Sequence, residues 1–132
     1  NPTYAAADLL SQAEHDTRAR AILVTDSEAL ADAVESEIER QLKLLPREAI
    51  ARPSVENNGR IIITKDTDAM FELMNSVAPE HLEIAMEKAY DYLEKVENDE
   101  MNPDEIIAYL TYDVVAQHME IEDKLYFPYL VD

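Results

Sequence analysis

Ala21-Ile22-Leu23-Val24-Thr25 is a continuous run of apolar and β-branched residues, and Ile61-Ile62-Ile63-Thr64 is a second run of the same kind. Short runs this apolar are typical of strands that are buried on both faces of a sheet. A third short strand is predicted over residues 81–85, after Pro79. Helical patterns separate the runs, so we predict an α/β fold: a small three-stranded parallel sheet with helical crossovers, partly Rossmann-like, in a single domain over residues 1–132.

The helices around these strands show recognisable start signals. The first is predicted over residues 3–15. The second begins at Asp26 or Ser27, and another begins at Asp66 or Thr67, because aspartate, serine and threonine all cap helix N-termini. Each is followed by apolar residues at helical spacing, which predicts that one face of each helix packs on the sheet.

Two prolines lie between the second predicted helix and the second predicted strand. Pro46 either ends the helix or opens a second short helix through Ile50. Pro53 and the following Asn57-Asn58-Gly59 predict the clearest turn of the chain.

The last third of the chain predicts two further helices. One covers residues 86–96, and Asn102-Pro103-Asp104-Glu105 is a strong start for the other. Apolar residues then recur every three or four positions from Ile107 to Leu125, and Pro128 ends the pattern. We expect these two C-terminal helices to complete the core, or to pair with another copy of the chain in a homodimer.

The composition excludes several classes of protein. A net charge of −18 repels phosphate backbones, so no nucleic acid partner is expected. No apolar run approaches the roughly 20 residues of a membrane-spanning helix, so no membrane partner is expected. The absence of cysteine excludes disulfides and thiolate metal sites and favours a reducing compartment, the cytoplasm. With Gly59 as its single glycine, the chain has no glycine-rich phosphate loop.

The first motif that could carry chemistry is Leu9-Leu10-Ser11-Gln12-Ala13-Glu14-His15-Asp16. Gln12 and His15 are three residues apart on a predicted helix, hence on one face and within reach of one ion. An amide oxygen and an imidazole are acceptable zinc ligands, but a catalytic zinc site needs about three protein ligands. Taken by themselves, the two residues are most simply surface residues of a helix.

The second motif is Ala78-Pro79-Glu80-His81-Leu82-Glu83. Glu80 and His81 follow a proline that can hold them rigidly, and histidine is the residue type suited to act as a base near neutral pH. They are therefore candidates for an acid/base pair. The alternative is a loop glutamate and a strand-starting histidine without a chemical role.

Together the two motifs resemble histidinol dehydrogenase, the zinc- and NAD-dependent enzyme that oxidises an amino alcohol to an amino acid. The segment between them, Leu44-Leu45-Pro46-Arg47-Glu48-Ala49-Ile50-Ala51, occurs in the order expected for that family. The resemblance covers about residues 1–85. Residues 86–132 do not fit the family and hold 13 acidic against 3 basic residues, which is consistent with a second origin.

The resemblance implies roles for four residues. Gln12 and His15 match zinc ligands of the family, and Glu80 and His81 match the pair that assists hydride transfer to NAD and hydration of the aldehyde intermediate. The family completes its zinc site with an aspartate and with a histidine from a partner subunit. Neither region is recognisable here, so the resemblance implies half of a zinc site.

A third candidate lies near the C-terminus. His118 and Glu122 are four residues apart on one face of a predicted helix. The run over residues 118–128 resembles a helix of hemerythrin-like, His-His-Glu cation-binding domains, in which such a pair helps to hold a di-iron centre. The alternative is a histidine packed at a helix–helix contact.

These observations leave three hypotheses. The favoured one is an engineered or recombined α/β protein, a chimera built on a histidinol dehydrogenase segment, without catalytic activity of its own and requiring no cofactor. The second is a zinc- and NAD-dependent oxidoreductase of the histidinol dehydrogenase type, in histidine biosynthesis, that needs a partner chain. The third is a metal-binding helical module that uses His118 and Glu122 in a dimer.

Overall fold

The computed structural model describes residues 1–79, 81–96, 106–111 and 124–128. Its helices and strands alternate along the chain. In order they are α1 Pro2–Ala13, β1 Arg20–Thr25, α2 Glu28–Leu42, α3 Glu48–Asn58, β2 Arg60–Ile63, α4 Thr67–Val77, β3 His81–Ala85, a 3-10 helix Ala89–Lys95, β4 Ile106–Thr111 and β5 Lys124–Pro128.

The five described strands form one sheet in the order β2-β1-β4-β3-β5. The first four of these run parallel to one another, whereas β5 runs antiparallel to β3. In this register Ala21 of β1 is the partner of Ile107 in β4, which is in turn the partner of His81 in β3. The α/β class and the three predicted strands are confirmed.

Helices cover the sheet on both faces. On one face Ile22, Val24, Leu82 and Ile84 pack against methionines and a phenylalanine of α4. The other face packs against α1 and α2. Its buried cluster consists of Ala5, Ala6, Leu9, Ala21, Leu23, Val34 and Ala85. Neighbouring residues of β1 and β3 thus enter opposite layers, as strand alternation requires.

The helix starts agree with the predicted capping signals and decide between the alternatives. Ser27, not Asp26, caps α2, because its hydroxyl accepts from the backbone of the first turn. Asp66, not Thr67, caps α4 in the same way. Each capping oxygen satisfies a backbone N–H that has no partner within the helix.

The predicted turn at Pro53 is wrong, because α3 continues through this proline to Asn58. Proline in a helix interior removes one backbone hydrogen bond. Residues on either side of Pro53 make other contacts: Arg52 pairs with Glu48 of α3 and Glu39 of α2, and the Ser54 hydroxyl donates to the Ala19 carbonyl. Helix α3 ends at Asn58, directly before Gly59 and β2.

The predicted pair of C-terminal helices is also wrong where the structure describes the chain. Residues 86–96 contain only the 3-10 helix Ala89–Lys95, and residues 106–111 and 124–128 are strands. The reason is backbone pairing: β4 lies between β1 and β3 and supplies hydrogen-bond partners to both. The homodimer was predicted to form through these helices and stays a prediction. Residues 106–111 and 124–128 could not contribute helices to it, because they are strands.

Candidate functional site

The first motif lies where α1 ends. Gln12 is 8% exposed on the packed side of α1, whereas His15 is exposed in the turn after the helix. The backbone N–H of His15 donates to the carbonyl of Gln12 at 3.2 Å. The two residues therefore share one tight turn at the helix end, where the sequence predicted a continuous helix through residue 15.

We call residues 14–19, which join α1 to β1, the His15 turn. Inside it the Ala19 N–H donates to the Asp16 carbonyl at 3.0 Å, and the Arg18 N–H donates to the Asp16 carboxylate at 2.8 Å. The hydrogen bond from the Arg18 side chain holds the pKa of the Asp16 carboxyl below its usual range, and the backbone N–H of Arg18 lowers it further. Asp16 thus organises the turn while it is ionised.

Helix α3 contacts the His15 turn through two side chains. The Ser54 hydroxyl, which is buried, donates to the Ala19 carbonyl at 2.8 Å. The Asn58 side-chain amide donates to the Thr17 carbonyl at 2.9 Å. The sequence offered no local signal for these contacts, because Ser54 and Asn58 fell within or next to a predicted turn.

The second motif begins β3. His81 is the first residue of this strand and is half-buried. By alternation it shares a face with Glu83 and with Ala85, which packs against α1 and α2 residues. Glu83 is a carboxylate only 3% exposed, and its position within an apolar strand is the signal that could have singled it out. Glu80 lies outside the described residues.

The two motifs lie at the same end of the sheet. His81 aligns with Ala21 through Ile107, so both lie where the parallel strands begin. The His15 turn joins the end of α1 to the start of β1 and therefore lies at the same end. We call this region, defined by Gln12, the His15 turn and His81, the motif end of the sheet.

Within the part of the chain that the structure describes, three further features contribute no residue to the motif end of the sheet: acidic or histidine clusters, the cavity and the third candidate pair. Among the described residues, no group of three or more His, Cys, Asp or Glu side chains is arranged to hold a metal ion. A cavity of about 410 Å³ lies between α2 and β2, lined by residues that include Glu35 and Ile61 but none of the candidate site residues. His118 and Glu122 lie outside the described residues.

The family model described as histidinol dehydrogenase matches residues 1–100. This chain belongs to the histidinol dehydrogenase family. The match includes residues 86–100, so the boundary predicted near residue 85 lies inside it. The resemblance seen in the two motifs is confirmed and extends further along the chain than the motifs alone indicated.

Individual histidinol dehydrogenases agree with this assignment. The chain is 76% identical over 98 residues to histidinol dehydrogenase of Streptococcus mutans, and 53% identical over 98 residues to that of Listeria monocytogenes. In both cases the match covers 74% of this chain and 23% of the relative. The chain thus spans about a quarter of the length of these histidinol dehydrogenases.

A solved structure of histidinol dehydrogenase, from Elizabethkingia anophelis, is similar in fold. It superposes with a TM-score of 0.71 at 32% sequence identity, over 85% of this chain and 24% of that one. The superposed share reaches beyond the part matched by the family model. The α/β core described above is therefore the core of a histidinol dehydrogenase segment.

Among the helices in the described ranges, none is long and apolar enough to cross a membrane.

Proposed function

We propose that this chain supplies half of the active site of a histidinol dehydrogenase-type oxidoreductase and does not turn over substrate alone. Gln12 and His15 are the zinc-holding residues of this half, and Glu80 and His81 are its proton-transferring pair. The observation that supports the proposal is that both motifs lie at the motif end of the sheet, as the register from Ala21 to His81 indicates.

The donor chemistry of the first motif fits part of a zinc site. An imidazole nitrogen and an amide oxygen are both acceptable to zinc, and the turn from Gln12 to His15 keeps the two residues adjacent. Two ligands are fewer than the three that a catalytic zinc site uses, so the other ligands come from elsewhere in the enzyme. When bound, the metal supplies Lewis-acid polarisation of the substrate alcohol.

Two features of His81 support a proton-transfer role for the second motif. The backbone of His81 is fixed by pairing with β4 and β5, and its half-buried side chain remains accessible. In the proposed reaction His81 would accept the hydroxyl proton of the substrate, and NAD, held by other segments, would serve as the hydride acceptor, which leaves an aldehyde. Glu80, the preceding residue, then assists addition of water to the aldehyde. Conversion of the amino alcohol to the amino acid would take two such oxidations, first of the alcohol and then of the aldehyde hydrate, and each would pass one proton to a base and one hydride to NAD.

The absence of independent turnover follows from the shared site. The resemblance assigns the remaining zinc ligands and the NAD contacts to regions not recognisable in this chain, which spans 23% of its relatives. A site without these groups loses positioning as well as contacts, and positioning supplies much of an enzyme's rate. We also propose that the chain is cytoplasmic.

Two measurements on the purified chain test the proposal. NAD-dependent oxidation of histidinol should stay at the background rate, and turnover above background would overturn the claim of dependence on other segments. A calorimetric zinc titration should show binding that is lost in His15→Ala and retained in His118→Ala. Binding lost only in His118→Ala would move the metal site to the C-terminal region and contradict the proposal.

A further inference from the structure

We infer that Ser54 and Asn58 of α3 are positioning residues that hold His15 in place for zinc. The inference rests on the proposed function, because it assigns His15 a metal. It adds two residues that lie outside both motifs. Neither of them needs to touch the metal, since they act on the backbone that carries the ligand.

Two side chains of α3 donate hydrogen bonds to backbone carbonyls of the His15 turn. The Ser54 hydroxyl donates to the Ala19 carbonyl at 2.8 Å, and the Asn58 amide donates to the Thr17 carbonyl at 2.9 Å. These two carbonyls flank Arg18, whose N–H already donates to Asp16. The second half of the turn is thus fixed by α3, and its first half is fixed by the end of α1.

The hydrogen bond from Ser54 to Ala19 is shielded from water because both residues are buried. Ser54 and Ala19 are each 1% exposed, so water cannot readily replace the serine hydroxyl as a partner of the carbonyl. His15, four positions before Ala19, is exposed and accessible to a ligand. Helix α3 thus holds the backbone of the turn that carries an exposed imidazole, and a preorganised metal ligand requires such support.

The expected loss of zinc affinity can be judged from other proteins, in which residues that hydrogen-bond to metal ligands have been removed. Removing such a partner typically weakens metal binding by about 10- to 100-fold. Because the contacts here reach the ligand through the backbone, we expect the lower end, about tenfold, for Ser54→Ala and for Asn58→Ala. The effect arises because a looser turn must be ordered again when the metal binds.

Zinc titration with matched controls tests the inference. The ring nitrogen signals of His15 are followed by NMR in the wild-type chain, Ser54→Ala and Asn58→Ala. Ser36→Ala is the control for Ser54, because the Ser36 hydroxyl also donates to a backbone carbonyl, at 3.0 Å within α2. Asn75→Ala is the control for Asn58, because the Asn75 amide also donates to a distant carbonyl, that of Lys95, at 2.8 Å.

The expected result is a zinc affinity lowered about tenfold in the two α3 variants and unchanged in both controls, under conditions where circular dichroism shows every variant folded. Amide exchange provides a second readout: the N–H groups of Arg18 and Ala19 should exchange faster only in the α3 variants. A merely structural role would lower the melting temperature without changing zinc affinity.

The outcomes separate the two proposals. If the wild-type chain binds zinc at His15 and both α3 variants bind it equally well, the positioning role is overturned and the proposed function stands. If the wild-type chain binds no zinc at His15, the zinc-holding part of the proposed function fails, and the positioning role fails with it.

Discussion

The rings of Phe71 and Tyr92 stack with their centroids 5.4 Å apart and their planes 13° from parallel. Phe71 belongs to α4 and is 3% exposed, whereas Tyr92 belongs to the 3-10 helix that follows β3. The pair therefore joins the segment after residue 85 to the core of the sheet. Ala89 and Tyr92 thus pack against the same core as α4, in agreement with the family match to residue 100.

A double-mutant cycle on this pair should measure a favourable coupling. Stacked aromatic pairs contribute about 0.5–1.5 kcal/mol beyond their burial. We expect Phe71→Leu and Tyr92→Leu to be less destabilising together than the sum of their separate effects, by about 1 kcal/mol in urea unfolding. Tyr92→Phe is the control and should keep the coupling. Additive losses would show that the two rings do not interact in solution.

The three strands predicted from sequence were recognisable because each is a short apolar run between helical patterns. β4 was not, because Ile106–Thr111 is also apolar at helical spacing and follows a strong helix start at Asn102. Six residues cannot distinguish the two periods. The structure decides in favour of a strand through parallel pairing with β1 and β3, and those partners are distant in sequence.

The residues of the candidate site also fall into a group that could be predicted from sequence and a group that could not. Gln12, His15 and His81 were identified because motifs with characteristic spacing carry them. Ser54 and Asn58 act across 35 and 41 positions of the chain, so their role appears only once α3 lies against the His15 turn. Contacts between residues this far apart in sequence cannot be predicted from local sequence patterns. The supporting residues of a site are therefore harder to predict than the residues that perform its chemistry.

Ala78→Gly should stabilise the protein. Ala78 ends α4 with φ 48° and ψ 60°, a left-handed conformation that costs an L-residue with a Cβ atom roughly 1 kcal/mol. Glycine adopts it without that cost, so we expect a gain of about 1 kcal/mol in the free energy of unfolding. Ala33→Gly, within α2, is the opposite control and should destabilise by about 0.5–1 kcal/mol. A loss of stability in Ala78→Gly would contradict the strain argument.

Gly59→Ala should destabilise the protein although the φ of Gly59, −64°, suits any residue. A Cβ atom at this position would lie 2.6 Å from the carbonyl oxygen of Val55, which belongs to the α3 backbone and cannot move independently. Overpacking of this kind costs about 1–3 kcal/mol. Thermal unfolding measures the loss. An unchanged melting temperature would mean that the junction between α3 and β2 relaxes more easily than its backbone contacts indicate.

The Asp16 carboxyl should titrate below its ordinary value of 3.8 in the folded chain, because the Arg18 side chain and the Arg18 N–H both donate to it. A pKa depressed by folding contributes stability that is complete above the unfolded-state pKa and is lost as the pH falls through the folded-state pKa. Carboxyl carbon NMR measures the shift directly. We therefore expect the Arg18 amide to lose exchange protection only in the acidic range below the unfolded-state pKa.

Arg18→Ala separates the two causes of this shift. It removes the side-chain hydrogen bond, which is the larger cause, and leaves the backbone N–H of residue 18 in place. The pKa of Asp16 should therefore rise in this variant and still remain below its ordinary value. Asp16→Asn is the matched control, since the amide oxygen accepts from the backbone but does not titrate, and its turn should keep the same protection on acidification. Complete return of the Asp16 pKa to 3.8 in Arg18→Ala would show that the backbone contact contributes nothing and that the side chain alone holds the turn.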